Sequence, residues 1–466
     1  MRSLRERIFS RKARKERKED AKNPARSVLR SVHRVNLGGN YMKLKYLLIV
    51  LTVLFISSTL RASSVDELTK KALSEDAATA VPAIRELRAM GATGLDALFV
   101  KYATEIERYS KSGERTDGWQ NIASAIDTVA MQKDAYASHL YWYTDLEEAK
   151  RVAAKQGKPI LTLRLLGNLN EEFSCANSRL FRAILYSNDE ISKYLRDNYI
   201  LHWKSVRPAP RITIDFGDGR KIERTVTGNS IHYILDSDGQ IIDALAGLYS
   251  PRAFLSYLKQ SRDLINRLAK LTPIEKRKSL LEFRKNNFDA IRKNRDAAIA
   301  STKVSFSEPK NTIAALPVME RAMSKAIVVD EVGLLRVYDD FSRFEPQINF
   351  DSWNRLAKIY SPASGLDTAS NAFIRRQNKT TGLTEAEFAG LFARIESFVA
   401  LDTTRNDFLF HTKLYEWLNA RRPLSLDAFN SQVYDVLFKT PESDKWLGLY
   451  STDVYTALDG NGLIGK

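Results

Sequence analysis

Cysteine is almost absent from this sequence: its 466 residues include one, Cys175. A single cysteine excludes an internal disulfide and any zinc site built from several cysteines. The sequence also has no Gly-rich phosphate-binding loop, no GxSxG nucleophile motif and no HExxH metal motif. The usual signatures of nucleotide, serine-hydrolase and zinc-protease chemistry are therefore missing, and we expect neither a cofactor nor a metal.

Basic residues are in excess, but the excess lies at one end of the chain. The formal net charge is +16, and residues 1–45 hold 15 Lys and Arg against 4 Asp and Glu, which leaves +11 there. The sequence after residue 62 holds 56 basic and 52 acidic residues, a net +4. This later part gives no electrostatic reason to expect nucleic acid as a partner. At 44% hydrophobic and 27% charged, the chain has a globular composition.

The first 41 residues have the composition of a disordered tail. They are dense in charge and poor in apolar side chains. Because a second methionine, Met42, opens a signal-like segment, we expect residues 1–41 not to be translated. The alternative is a translated basic arm that binds anionic lipid or nucleic acid.

Residues 42–62 have the layout of a secretory signal peptide. A short basic segment precedes the apolar run 46–60, and small residues follow at a cleavage position after Ala62. This layout predicts an exported protein of the periplasm or cell envelope. The alternative is an uncleaved anchor in which 46–60 is the only membrane contact, although a span needs roughly 20 apolar residues.

Hydrophobic periodicity divides the remaining chain into three parts. Residues 63–138 have apolar positions three and four apart, with Gly91 and Gly94 at a turn between helices, so we expect a helical lead-in. Residues 139–270 mix helical and strand patterns. Residues 271–466 are almost entirely helical in pattern and predict a helical C-terminal domain.

Start and stop signals place the elements of the middle part. Capping boxes at Thr144–Glu147 and Ser187–Glu190 open two helices, and Gly-Asp-Gly and Asp-Gly pairs mark two hairpins. The predicted elements are helix 145–156, strand 159–166, a helix that opens at Ser174, helix 188–197, strand 199–204, hairpins 211–226 and 231–246, and helix 251–270. In the C-terminal part, one helical face of 385–399 carries Phe388, Leu391, Phe392, Ile395, Phe398 and Val399.

This order of elements across 140–270 resembles the exported thioredoxin-like proteins. Phe173-Ser-Cys-Ala-Asn-Ser178 stands where that family carries Trp-Cys-x-x-Cys, and the stretches 157–165, 187–206 and 230–247 resemble the family's core strand, its next helix and strand, and its terminal hairpin. The resemblance implies an α/β thioredoxin-like central domain over 139–270. A small helical N-terminal segment would precede it and a mainly α-helical C-terminal domain would follow.

Cys175 is the residue on which a chemical role depends. At a helix N-terminus, unpaired backbone N–H groups and the helix dipole stabilise a thiolate, which is the species that attacks disulfides. Glu171 and Glu172 precede it, and their charges oppose that stabilisation. The resemblance implies that Cys175 attacks, and that Ser178 occupies the resolving position, where it donates a hydrogen bond to the thiolate but cannot form a second disulfide.

A polar surrounding for the thiol follows from the same resemblance. The expected pocket-lining residues are Ser174, Asn177, Asn229, Ser230 and His232. The family's cis-proline position falls at Asn229-Ser230, and we expect a trans bond there because a cis bond before a non-proline residue costs about 2.5–4 kcal/mol. Together these residues suit either a small ligand or an altered substrate groove. The alternative for Cys175 is a small buried residue that packs a helix start.

Two arginines flank a stiff segment that leads into the first hairpin. Arg207-Pro-Ala-Pro-Arg211 could present Arg207 and Arg211 to an anion; the alternative is a solvated linker.

Two functions fit these features. The first is a single-cysteine thiol-disulfide exchange protein that forms mixed disulfides with protein thiols or disulfides of the cell envelope. The second is a non-catalytic thioredoxin-like binding module, whose inserted hairpin and C-terminal helical domain contact partner proteins or whose pocket holds an unidentified small ligand. Fold alone does not choose between them.

Overall fold

The computed structural model describes residues 64–225, 228–304, 350–420, 424–438, 440–446 and 463. The predicted tail over 1–41 and the predicted signal over 42–62 lie outside these residues. Among the helices within them, none combines the length and apolar character that a membrane crossing needs.

Two glycines set the packing of the N-terminal helices. Helices α1 to α5 span 64–71, Ala77–Ala89, Ala92–Lys101, Ala103–Ser112 and Trp119–Ala130. The predicted turn at Gly91 is confirmed, because Gly91 has a positive φ of 69° and directly precedes α3. Gly94 lies inside α3 instead of in the turn. A Cβ there would stand 1.9 Å from the carbonyl oxygen of Leu87, so only glycine allows α2 and α3 to approach this closely.

A mixed five-stranded sheet forms the centre of the fold. Its strands are β1 (Trp142–Tyr143), β2 (Ile160–Leu166), β3 (Ile200–Arg207), β6 (Ser230–Leu235) and β7 (Ile241–Ala246), in the order β1-β3-β2-β6-β7. Strands β1 and β2 run parallel to β3, whereas β6 is antiparallel to both β2 and β7. All seven residues of the central strand β2 are buried, which confirms the predicted buried strand and is typical of a strand covered on both faces.

Four helices of the middle part surround this sheet. They are α6 (Leu146–Gln156), α7 (Ala176–Leu180, continued by a π-helical turn over Phe181–Tyr186), α8 (Asp189–Asn198) and α9 (Pro251–Leu268). The predicted capping residues of α6 and α8 are wrong by one position. Asp145 instead of Thr144 caps α6, and Asn188 instead of Ser187 caps α8. Each pair offers two good capping side chains, and the second accepts the backbone N–H three residues on.

Both predicted hairpins are present. Strands β4 (Arg211–Asp215) and β5 (Lys221–Thr225) pair as a separate two-stranded sheet about the Gly-Asp-Gly turn. Most of their residues are exposed or half-buried. Strands β6 and β7 form the other hairpin, and both are completely buried.

The C-terminal part is mainly helical within the described residues. Its helices are α10 (Pro273–Thr302), α11 (Phe350–Ala357), α12 (Thr368–Gln377), α13 (Glu385–Arg405, continued by a π-helical turn over Asn406–His411), α14 (Thr412–Leu418) and α15 (Leu426–Gln432, continued by a π-helical turn over Val433–Leu437). The predicted apolar face of α13 is confirmed: four of its residues are buried and the other two are half-buried.

One hydrophobic core joins the three predicted parts. The same cluster contains Leu87 of the lead-in, Leu163 of the sheet and Phe398 of the C-terminal helices. A second, smaller cluster around Trp353 and Phe408 lies within the C-terminal helices. The C-terminal helices therefore pack on the central sheet as part of its core.

Candidate functional site

Cys175 caps the helix that packs beside the centre of the sheet. Its backbone adopts the extended geometry of a capping residue, and α7 with its π-helical turn runs from Ala176 to Tyr186. The Cys175 N–H donates to the carbonyl of Leu166 at the end of β2 (3.1 Å). The prediction that Cys175 lies at the start of a helix is therefore confirmed.

The thiol is enclosed by polar groups. The Sγ atom lies 2.9 Å from Oγ of Ser230, 3.5 Å from Oγ of Ser178 and 3.9 Å from the carbonyl oxygen of Asn229. The Cys175 side chain has no exposed surface. Among the described residues no peptide bond is cis, so the bond before Ser230 is trans as expected.

Ser178 does not donate to sulfur as the resemblance implied. Its hydroxyl donates to the carbonyl of Cys175 at 2.7 Å, and this bond uses the only proton that the hydroxyl has. Towards the sulfur, Ser178 is an acceptor at 3.5 Å. Oγ of Ser230 is the closer partner of Sγ, and it reaches the thiol from the first residue of β6.

The remaining expected pocket residues are buried, and several of their polar atoms lack partners. Ser174 Oγ, both amide atoms of Asn177 and Nδ2 of Asn229 have no hydrogen-bond partner among the described residues. All three side chains are at most 3% exposed. Buried polar groups are nearly always hydrogen-bonded in proteins, so this cluster is unusually unsatisfied.

His232 binds a tyrosine rather than the thiol. Its Nε2 lies 2.7 Å from the hydroxyl of Tyr186, and its ring packs against Phe181 and Phe254. Burial lowers the pKa of His232 to about 3, so the ring is neutral. Tyr186 was missed in the sequence, although it stands eleven residues after Cys175, three turns further along the same helical face.

A residue of the C-terminal helices closes the site. The hydroxyl of Tyr434 donates to the carbonyl of Asn229 at 3.2 Å, the same carbonyl that the thiol faces. Tyr434 is buried, and this burial together with the nearby Cys175 raises its pKa well above 10. No local pattern marks Tyr434, because 205 residues separate it from Asn229.

A buried arginine lies under the acidic loop before the cysteine. The guanidinium of Arg182 donates to the carbonyls of Glu171 and Glu172, at 3.4 Å in each case. Burial lowers the pKa of Arg182, whereas Asp134 and Glu172 raise it. A buried positive charge that no local sequence pattern indicates therefore holds the backbone of this loop and partly offsets the charge of Glu172.

Neither arginine of the stiff segment is available to an anion in the expected way. Arg207 donates to the carbonyls of Thr440, Pro441 and Asp444, so it anchors the C-terminal segment. Arg211 pairs with Glu223 across the first hairpin at 3.2 Å, and its guanidinium lies over the ring of Phe173. Backbone carbonyls and a carboxylate occupy the positions that an anion would need.

Comparisons with known proteins give no relative. No protein-family model, curated protein or solved structure matches this chain significantly. Within the described residues, no group of three or more His, Cys, Asp or Glu side chains is arranged to hold a metal ion. The function therefore has to be argued from the geometry of the site itself.

Proposed function

We propose that this chain is an exported thioredoxin-like protein that acts as a non-catalytic binding module. The order helix, strand, Cys-bearing helix, strand, hairpin, helix supports the thioredoxin-like part of the proposal. The signal-like residues 42–62 support export. In this proposal Cys175 is a structural thiol, and partner proteins bind elsewhere on the surface.

The complete enclosure of Cys175 carries the proposal. A thiol that attacks a protein disulfide needs an approach path for the second sulfur atom. Here Ser230 and Asn229 stand within 4 Å of Sγ, and Tyr434 hydrogen-bonds to the carbonyl of Asn229. The protein's own chain thus occupies the position from which a partner would reach the sulfur.

Further contacts hold this C-terminal cover, which we define as residues 424–438 and 440–446. Asn430 accepts from the hydroxyl of Tyr233 on β6, and Asp427 pairs with the buried Arg164 of β2 at 3.2 Å. Arg207 of β3 holds the three carbonyls further along. The cover is therefore attached to three adjacent strands of the sheet.

The first hairpin is the surface best suited to a partner. It forms its own two-stranded sheet, and the ring of Phe216 near its tip is 49% exposed. The backbone ladder between β4 and β5 holds its shape, and cross-strand ion pairs such as Lys221 with Asp215 accompany it. An exposed aromatic on a pre-shaped loop contributes contact area at a small entropic cost.

The rate of alkylation of Cys175 tests the proposal. We expect the folded protein to react with iodoacetamide no faster than it unfolds, and to react fully in denaturant. Tyr434→Phe, which removes one hydroxyl, is compared with Tyr434→Ala, which opens the cover; only Tyr434→Ala should accelerate labelling markedly. Cys175→Ser is the unlabelled control. Rapid alkylation of the folded wild-type protein near neutral pH would contradict the proposal.

Single-cysteine thiol-disulfide exchange is the second candidate, and the unpartnered atoms of Asn177, Asn229 and Ser174 favour it. A peptide bound beside the thiol would supply the missing hydrogen bonds. In that reaction the Cys175 thiolate attacks a partner disulfide, forms a mixed disulfide and releases the partner's other sulfur as a thiolate. A second thiol from solution must then release the chain, because Ser178 cannot.

Trapping of a mixed disulfide distinguishes the non-catalytic binding module from thiol-disulfide exchange. Exchange predicts that a purified disulfide-containing peptide forms a mixed disulfide with the native protein, and that Cys175→Ala abolishes it. Ser178→Ala should leave trapping intact, because the Ser178 hydroxyl donates its hydrogen bond to a backbone carbonyl and not to the attacking sulfur of Cys175. If the mixed disulfide forms only in denaturant, the result rejects thiol-disulfide exchange and supports the proposal of a non-catalytic binding module.

A further inference from the structure

A cavity lies between α9 of the middle part and two elements of the C-terminal part, α10 and the π-helical turn after α13. Its volume is about 240 Å³. Tyr360 closes one side, and Asp407 and Phe408 of the π-helical turn form another. Single π-helical turns inside α-helices are frequent at functional sites.

The charge of the cavity wall is negative. Among the residues that line it, Asp407 is the one with an ionisable charge near neutral pH, and none is Lys or Arg. The Asp407 side chain is 21% exposed, so its carboxylate can meet a ligand. Tyr257 donates to Oδ1 of Asp407 at 2.9 Å and fixes the orientation of the carboxylate.

A buried histidine behind Asp407 does not cancel this charge. Nδ1 of His411 lies 3.6 Å from Oδ1 of Asp407, whereas Nε2 lies 2.9 Å from Asp243. Because the contact with Asp243 is the shorter one, the imidazolium interacts more strongly with Asp243 than with Asp407. Asp243 also accepts a hydrogen bond from the hydroxyl of Tyr415. Asp243 also interacts with the buried Arg284, whose pKa it raises, so two positive groups lie near Asp243. Asp407 meets the imidazolium only at the longer distance of 3.6 Å, and it is the carboxylate that reaches the cavity.

Aromatic rings and amides complete the lining. Tyr257, Tyr360 and Phe408 are among the residues that line the cavity, and the rings of Tyr360 and Phe408 meet edge to face at 5.9 Å. Aromatic faces carry negative charge density that attracts cations. The amide side chains of Asn287 and Asn294 add carbonyl oxygens, which accept hydrogen bonds from N–H groups.

We propose that this cavity binds a small organic cation, a primary or methylated ammonium compound, with Asp407 as its counter-ion. The lining combines three aromatic residues with one carboxylate and contains no basic side chain, which matches the chemistry that recognises ammonium groups in aromatic cages. An anion would find no basic partner among the lining residues. The proposal is independent of the function proposed for Cys175.

Calorimetric titration of the full chain tests the proposal with two probes of the same shape. Choline carries a quaternary ammonium, and 3,3-dimethylbutan-1-ol replaces that group with a neutral carbon. We expect saturable binding of choline, and binding of the alcohol at least about tenfold weaker. Raising the salt concentration should weaken choline binding and leave the alcohol unaffected.

Two variants locate the site, and one serves as a matched control. Asp407→Asn should weaken choline binding by about tenfold or more through the lost charge, and Tyr360→Leu should weaken it through the lost ring. Tyr360→Leu keeps the neighbours of His411 intact, so it reports on the site even if Asp407→Asn folds poorly. Asp296→Asn removes a 63%-exposed carboxylate of α10 outside the cavity and should bind choline like the wild type.

Two results would overturn the proposal. Equal affinity for choline and the alcohol would mean that the cavity selects shape or hydroxyl groups and not charge, as a polyol site would. Absence of choline binding, or binding that survives both cavity variants, would remove the cation site altogether.

Discussion

His411 and Asp243 form an ion pair between two side chains with no exposed surface: Nε2 of His411 lies 2.9 Å from Oδ1 of Asp243. Asp243 belongs to β7 and His411 to the π-helical turn after α13, so the pair joins the central sheet to the C-terminal helices. Tyr415 donates to the second oxygen of Asp243 at 3.2 Å. The guanidinium of Arg284 donates hydrogen bonds to carbonyls of β7, the strand that carries Asp243.

This pair predicts a stability that falls at alkaline pH. Burial lowers the pKa of His411, but the carboxylates of Asp243 and Asp407 outweigh it and raise the pKa to about 9. Because the pKa in the folded state exceeds the ordinary 6.5, the contribution is complete below pH 6.5 and is lost as the pH rises through 9. We expect the free energy of unfolding to fall by on the order of 3 kcal/mol across this range.

Urea denaturation at closely spaced pH values measures this effect. His411→Gln cannot take up the proton, so its stability curve should be flatter between pH 6.5 and 9. His202→Gln is the matched control, since burial lowers the pKa of His202 to about 3 and this residue does not titrate in the range. A wild-type curve that stays flat there would contradict a protonated His411.

Gly94 and Gly390 predict opposite outcomes for the same substitution. Gly94→Ala should destabilise the protein by about 3 kcal/mol or more, because the new Cβ would stand 1.9 Å from a backbone oxygen of Leu87. Gly390→Ala in α13 meets only the mobile end of Arg394, at 3.5 Å, and should be neutral or stabilise the protein by about 0.5–1 kcal/mol. Thermal unfolding followed by circular dichroism checks both, and equal effects would contradict the close approach of α2 and α3.

Arg207 and Arg211 should differ in their control of the C-terminal cover. Arg207→Ala removes the donors that hold Thr440, Pro441 and Asp444, so we expect faster proteolysis of the cover and faster alkylation of Cys175. Arg211→Ala removes an exposed pair with Glu223 and should change neither rate, since exposed pairs contribute little. Mass spectrometry of timed digests measures both. Equal rates in the two variants would mean that Arg207 does not anchor the cover.

Two replacements of Cys175 distinguish the contribution of side-chain packing to stability from that of polar contacts. Cys175→Ser keeps a small group with partners in Ser230 and Asn229 and should cost less than about 1 kcal/mol of stability. Cys175→Val adds bulk beside the same polar atoms, and we expect a loss of about 2 kcal/mol. Denaturant midpoints measure the two losses, and a better tolerated valine would show that the thiol's surroundings behave as apolar.

Local patterns predicted the elements better than they predicted the site. The face of α13 and both hairpins follow from spacing and turn residues close together in sequence, so they could be read directly. The caps of α6 and α8 were misplaced by one residue because Thr144 and Asp145, or Ser187 and Asn188, are equally good capping types. Strand order β1-β3-β2-β6-β7 depends on pairings that no local signal specifies.

Burial of Cys175 was one of the two alternatives, but the residues that enclose the thiol could not all be predicted. Ser178 is three residues from Cys175 and was found from its spacing, but the direction of its hydrogen bond depends on the backbone carbonyl nearby. Tyr434 reaches Asn229 from the other end of the folded chain. The sequence around Arg207 does not indicate its true partners, because the carbonyls that accept from it lie 233 or more residues later.

The two edges of the central sheet determine how another protein can approach it. At one edge, β1 has only two residues, too few to template an added strand. At the other, Arg284 donates to the carbonyls of Ile241 and Ile242, so part of β7's outer rim is already bonded. A partner peptide would find little backbone to extend this sheet by strand addition. We therefore expect a partner of the central sheet to be recognised through side-chain surfaces, with a specificity that depends on shape and charge instead of main-chain pairing.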